Sequence, residues 1–232
     1  MGPVEGRRMR RMGLGISAVI LAIACGPALA ASAQPWPDTP LGRVEALAVV
    51  ETLNAQLLGS SSATATLEAW CGTHHMASPA RLVAELVRGA DKPVTDEERQ
   101  VLQVGAGEAV KYRRVRLACG SHVLSEADNW YVPSRLTPEM NRLLETTDTP
   151  FGRAVAGLHP VRQTLSAELL WSPLPAGWDL KVGSAAPAAG SGGPLAIPTA
   201  LFRHRAVLYD DRRRPFSEVV ETYTSAVLDY PR

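Results

Sequence analysis

Excess charge of either sign is missing from this chain. Its 232 residues carry 24 Lys+Arg against 23 Asp+Glu, which leaves none of the basic footprint that DNA or RNA binding requires. Cysteine is scarce, with three in all, and only Cys71 and Cys119 lie beyond the N-terminal region. Metal-ligand spacing is absent too. Cys71, His74 and His75 fall close together, but no second CxxC or HxxxH half accompanies them, and His122, His159 and His204 are scattered singly. No metal, organic cofactor or nucleic acid is therefore expected as a partner.

The N-terminus has a recognisable order. Arg7, Arg8, Arg10 and Arg11 precede an apolar run over residues 14–25 and the small-residue stretch Ala28-Leu29-Ala30, as in a secretory signal peptide. The run is too short for a comfortable membrane span. Residues 1–30 are predicted to be a signal peptide cleaved after Ala30, with Ala33 as the alternative. The mature chain would be periplasmic or secreted, with no membrane attachment. About 200 residues remain, enough for one domain with a sizeable core, assigned to residues 34–232. In an exported chain the surviving cysteine pair reads either as a disulfide or as two buried thiols. A bond would close a loop of about 48 residues and contribute about 4 kcal/mol.

Along the chain, Val44, Leu47, Val50, Leu53, Leu57 and Leu58 recur at helical spacing and predict an amphipathic helix ending at Gly59. Residues 60–65 read as a polar connection and 66–70 as a short helix or strand start. A strand follows at 82–86, then an exposed acidic connection through Asp91, Asp96, Glu97 and Glu98. Residues 110–119 alternate, with Val115, Leu117 and Cys119 on one face. Arg113 falls on that same apolar face, whereas Arg114 and Arg116 fall on the other. A guanidinium there needs a carboxylate or an anionic ligand, because burying it unpaired is costly.

Residues 123–132 read as a strand stopped by Pro133. Thr137-Pro138 and Thr149-Pro150 both read as helix starts, a capping hydroxyl before a proline. A further strand is expected over 162–171, with Thr164, Ser166 and Glu168 sharing a face. Residues 184–198, rich in Gly, Ala, Ser and Pro, predict a mobile surface loop. Two apolar runs, 201–209 and 216–228, flank Asp210 to Pro215 and predict a hairpin. Glu218 and Glu221 have opposite parity in its second strand, so at most one is expected to reach the core.

These pieces resemble, in order and approximate spacing, the chorismate lyase fold shared by chorismate pyruvate-lyases and the UTRA ligand-sensing domains of GntR-type repressors. The carriers are Ser62-Ala63-Thr64 with Leu67-Glu68, Arg113 to Leu117 leading to Tyr131-Val132-Pro133, Thr149 to Arg153, and the hairpin from Pro215 to Tyr223. The resemblance spans residues 47–228. It implies an α+β fold, a six-stranded antiparallel sheet with helices packed on it, enclosing a small-molecule pocket.

The resemblance further implies Arg113 as the substrate-carboxylate arginine, with Arg114 selected instead by gap-free alignment from Pro133. Glu221 matches the catalytic glutamate of the last strand, with Glu218 as the fallback. Phe151 falls where the lyases place a leucine beside the bound ring, and Gly152 continues that turn. Ala63 stands where the lyases carry methionine, and Asn129 where they carry arginine, which points to an altered pocket. Two functions follow. One is an exported lyase acting without metal or cofactor on chorismate or a related carboxylate, releasing pyruvate and a 4-hydroxybenzoate-type product. The other is a non-catalytic periplasmic protein that binds or senses a small aromatic acid.

Overall fold

The computed structural model describes residues 1–2, 34–89, 91–179 and 190–232; the expected signal peptide lies outside them, apart from its first two residues. Helix α1, Pro40–Leu58, begins where the Thr39 hydroxyl accepts from the Gly42 amide and Pro40 supplies a fixed φ at the first turn. Its buried stripe is Gly42, Ala46, Val50, Leu53 and Leu57, while Val44 and Leu58 of the expected face are exposed. Gly42 is required by packing, since a Cβ there would lie 2.3 Å from the Pro37 carbonyl oxygen.

Helix α2, Ala63–Thr73, starts inside the expected polar connection, because the Ser62 hydroxyl accepts from the Ala65 amide. Strand β1, Leu82–Leu86, follows. The acidic connection holds a short helix, α3, Asp96–Val101, started by a reciprocal cap between Thr95 and Glu98. Strands β2, Lys111–Cys119, and β3, His122–Tyr131, then form a hairpin.

Helix α4, Pro138–Thr146, has Thr137 as its cap, as the Thr-Pro pair predicts. The second pair behaves differently. Helix α5, Phe151–Ala154, has Pro150 rather than Thr149 at its cap position, and the Thr149 hydroxyl instead accepts from Thr147. Strand β4, Val161–Leu169, is broken by a bulge at Leu165. That extra residue puts Thr164 opposite Ala206 and Ser166 opposite Arg205, so the two no longer share a face. Strands β5, Ala200–Tyr209, and β6, Pro215–Thr224, complete the sheet, and the last apolar run ends in a 3-10 turn at Ser225–Leu228.

The six strands are antiparallel in the order β1-β2-β3-β6-β5-β4. The fold is thus α+β, a six-stranded antiparallel sheet with packed helices. Its main core lies on one face, where Val50, Leu53, Leu57, Leu67 and Trp70 meet Val115, Leu117, Phe202 and Tyr223. A smaller cluster of Leu102, Trp130 and Val132 covers the other face. This second layer explains why Glu218 and Glu221, though on opposite faces, are both buried, at 1% and 6% exposure. Glu218 is held there by Arg205 at 2.5 Å.

Cys71 at the end of α2 and Cys119 at the end of β2 form a disulfide. The described part of the expected mobile loop, residues 190–198, is pinned. Leu195 donates its amide to the Trp36 carbonyl at 2.7 Å, Asp38 donates to Gly193 at 2.7 Å, and Pro37 bridges to Pro194. Residues 184–189 lie outside the described part.

Candidate functional site

A cavity of about 400 Å³ opens between the sheet and the N-termini of α2 and α5. Strand alternation sends Arg113, Val115 and Leu117 of β2, Ala127 and Asn129 of β3, and Val219 and Glu221 of β6 to its wall. From the helical side come Ser61, Ser62, Ala63, Thr64, Phe151 and Gly152. The close approach of α2 and α5 requires Gly152, where a Cβ would sit 2.9 Å from the Thr64 hydroxyl oxygen. Arg153, next to it, clamps Glu68 of α2 through two contacts of 2.8 Å.

Arg113 is only 5% exposed. Its Nε donates to the Leu144 carbonyl and its Nη2 to the Thr149 carbonyl, each at 3.0 Å. Among the described residues no carboxylate pairs with it. Burial lowers its pKa to about 10, still far above neutrality. Two of its five N–H bonds are used by these carbonyls, so the outward pair on Nη1 and Nη2 remains for a ligand.

Asn129, 4% exposed, accepts from the Ser217 hydroxyl at 2.9 Å, which leaves its amide nitrogen as a donor. At the N-terminus of α2, Ser62 takes the Ala65 amide. The amides of Ala63 and Thr64, beside the Thr64 hydroxyl, remain as orphan donors at the wall. Deeper in, Arg162 of β4 and Glu221 form an ion pair of 2.6 Å with side chains 3% and 7% exposed. Tyr223 also donates to Glu221, at 3.1 Å. Two arginines against one glutamate leave the cavity wall with one positive charge in excess.

Six of the eight residues singled out in the sequence, Arg113, Glu221, Asn129, Phe151, Gly152 and Ala63, line this one cavity, whereas Glu218, the fallback for Glu221, faces the other side of the sheet. Arg114 does not line it either. Its parity turns it to the other face, where it bonds Glu126 at 3.1 Å, so its substrate-binding assignment is corrected. Arg162 was missed, because the bulge downstream of it masks the alternation of β4. His159 at the rim was also missed; it holds a left-handed conformation, φ 47°, that a non-glycine residue seldom adopts. Among the described residues there is no group of three His, Cys, Asp or Glu that could hold a metal, and no helix long and apolar enough to cross a membrane.

Fold and site together define an α+β protein whose sheet carries a partly open cavity with two arginines and one glutamate in its wall. Its chain is 56% identical over 201 residues to the uncharacterized protein y4mC of Sinorhizobium fredii (strain NBRC 101917 / NGR234), covering 86% of this chain and 84% of y4mC, and it belongs to the same family as that protein. No protein-family model matches it. Among solved structures it is similar to PhnF from Mycobacterium smegmatis, at 15% identity and TM-score 0.45, over 84% of this chain and 88% of PhnF. The effector domain of PhnF aligns at 17% identity and TM-score 0.40, over 66% of this chain and 88% of that domain. The possible transcriptional regulator YydK from Bacillus subtilis aligns at 15% identity and TM-score 0.36, over 61% of this chain but only 58% of YydK. At these identities and TM-scores the likeness extends to neither ligand nor activity.

Proposed function

We propose that this protein is an exported receptor for a small monoanionic carboxylate with an apolar, ring-sized body. The observation that carries the reading is Arg113, a buried guanidinium with no carboxylate partner among the described residues, on the wall of a ligand-sized cavity. A carboxylate docked end-on at Nη1 and Nη2 supplies the missing counter-charge. The α2 N-terminus adds amide donors and a favourable dipole. Val115, Leu117, Phe151 and Val219 enclose the apolar body. The excess of one positive charge matches a single carboxylate.

A thermal-shift comparison of benzoate and 4-hydroxybenzoate with benzamide tests the reading. A carboxylate at 100 times its Kd stabilises the fold by about 2.7 kcal/mol, and the amide by much less. Equal shifts for acid and amide, or none for any acid, would overturn it.

Export is supported by the charged, apolar and small-residue order of residues 1–30 and by the Cys71–Cys119 disulfide, which suits an oxidising compartment. Fusing residues 1–33 to a reporter active only outside the cytoplasm should give activity, and no activity would refute export.

A second reading, elimination of pyruvate from chorismate, is favoured by one observation, that Arg113 and Glu221 line the same cavity. The Arg162 contact weighs against it, since with Tyr223 it takes up Oε2 and leaves only Oε1 of that carboxylate to move the proton. Pyruvate and 4-hydroxybenzoate released from chorismate above a blank, and lost in a Glu221→Gln variant that circular dichroism shows to be still folded at the assay temperature, would establish the lyase.

A further inference from the structure

Arg113 also borders a second depression, whose lining shares no other residue with that of the main cavity. Strand β1 stops at Leu86, and the Val87 amide makes the last bond across to the Arg114 carbonyl at 3.0 Å. The chain then turns away through Gly89, φ 75°. Among the described residues, this leaves the first residues of β2 without a paired strand on that edge. A cleft of about 500 Å³ results, lined by Arg88, Lys111, Arg113, Arg114, Tyr131 and Glu145, among others.

The cleft's polar groups are unevenly matched. Four basic side chains face two acidic ones, Asp91 and Glu145. Lys111 is paired with Glu145, and Arg114 with Glu126 and Asp128. Arg88, which is exposed, and Arg113 have no carboxylate partner among the described residues. Tyr131 is 2% exposed, with its ring against Phe151 at 5.8 Å. Its hydroxyl has no hydrogen-bond partner among the described residues and lines the cleft, where it is free to donate. Burial first, and then Glu145, push its pKa up to about 12, so it stays a neutral donor.

We propose that this cleft is a second site, for a small inorganic oxyanion of the phosphate class, held by Arg88, Lys111 and the Tyr131 hydroxyl and coupled to the main cavity through Arg113. Such an anion accepts from point-charge and hydroxyl donors without needing an apolar enclosure. Its negative charge beside Arg113 weakens that residue's attraction for a carboxylate on the cavity side, and linkage makes the effect reciprocal. The coupling, unlike the cleft itself, rests on the carboxylate reading of the main cavity.

The test uses inorganic phosphate against chloride at equal ionic strength, with the mature chain and an Arg88→Gln/Lys111→Gln variant. Phosphate should raise the melting midpoint of the parent and not of the variant. It should also weaken 4-hydroxybenzoate binding about 5-fold or more in the parent alone. Absence of a phosphate-specific shift would overturn the proposal. A shift that persists in the variant and disappears under saturating 4-hydroxybenzoate would also overturn it, by placing phosphate in the main cavity. If 4-hydroxybenzoate fails to bind while the phosphate shift still depends on Arg88 and Lys111, the cleft stands and the carboxylate reading falls.

Discussion

Arg162 Nη2 lies 2.6 Å from Glu221 Oε2, the two side chains being 3% and 7% exposed, and the contact reaches from β4 to β6 across the intervening β5. A pair this deep offsets its desolvation only while both members are present. Glu221→Gln should therefore destabilise the fold by about 3–5 kcal/mol, by leaving Arg162 buried without a counter-charge. Replacing both with leucine should recover most of that loss. Urea denaturation of the single and double variants decides; a single variant as stable as the parent would show that the pair opens to water.

Arg113→Gln should leave a folded protein that no longer distinguishes carboxylate from amide. The glutamine amide can still donate to one of the Leu144 and Thr149 carbonyls, so the structural loss is partial. The lost charge-assisted bonds should weaken carboxylate binding by about 1.5–3 kcal/mol, roughly 10- to 100-fold. Calorimetric titration with 4-hydroxybenzoate reads this directly.

Gly152→Ala tests the junction of α2 and α5. The added methyl would meet the Thr64 hydroxyl oxygen at 2.9 Å and the Ser62 hydroxyl oxygen at 3.4 Å, forcing the α2 N-terminus away from the cavity wall. Overpacking of this kind costs about 1–3 kcal/mol. Carboxylate affinity should fall with far-ultraviolet circular dichroism unchanged; unaltered affinity would remove Ser62 and Thr64 from the site.

Joining residues 48 apart, the disulfide should contribute about 4 kcal/mol through loop closure in the unfolded chain. Cys71→Ser/Cys119→Ser should lower the urea midpoint without changing the slope much. The same variant should be indifferent to reductant, whereas the parent should shift toward it when reduced.

His204 gives acid sensitivity. It is fully buried, its Nε2 bonded to Asn54 Oδ1 at 2.7 Å, with Phe202, Tyr223, Arg162 and Glu221 around it. Burial first, and then Arg162, lower its pKa to about 4, against a slight opposing pull from Glu221. The unfolded chain takes up a proton near pH 6.5, which the folded one refuses until about pH 4. Stability from this residue is thus complete above pH 6.5 and falls by about 3 kcal/mol as pH drops to 4. Urea midpoints at pH 7.5, 5.5 and 4.5 should show that decline, with a flatter profile in His204→Phe.

What the sequence disclosed followed the reach of local rules. Arg113 stood out because a strand alternates with period two, and β2 is regular through that stretch. The Thr137-Pro138 start held because its cap is a contact within four residues. Arg162 escaped because its inward turn is legible only with the bulge at Leu165, which alternation alone does not reveal. Parity alone sends only one of Glu218 and Glu221 to the core, because nothing local shows that Leu102, Trp130 and Val132 cover the second face of the sheet. Residues 190–198 looked loose by composition, but their order comes from partners at 36–38, more than 150 positions away in the chain.

Those partners bear on the proposed leader removal. Trp36 is stitched in from three directions. Its indole donates to the Leu228 carbonyl at 3.1 Å, its carbonyl accepts from Leu195, and the Arg232 guanidinium lies 3.9 Å over its ring. A cut after Ala30 or Ala33 falls upstream of every one of these ties. A protease trimming inward from the new end would first meet the Gln34 and Pro35 carbonyls, both held by the Arg232 guanidinium at 2.9 Å, and then the anchored Trp36.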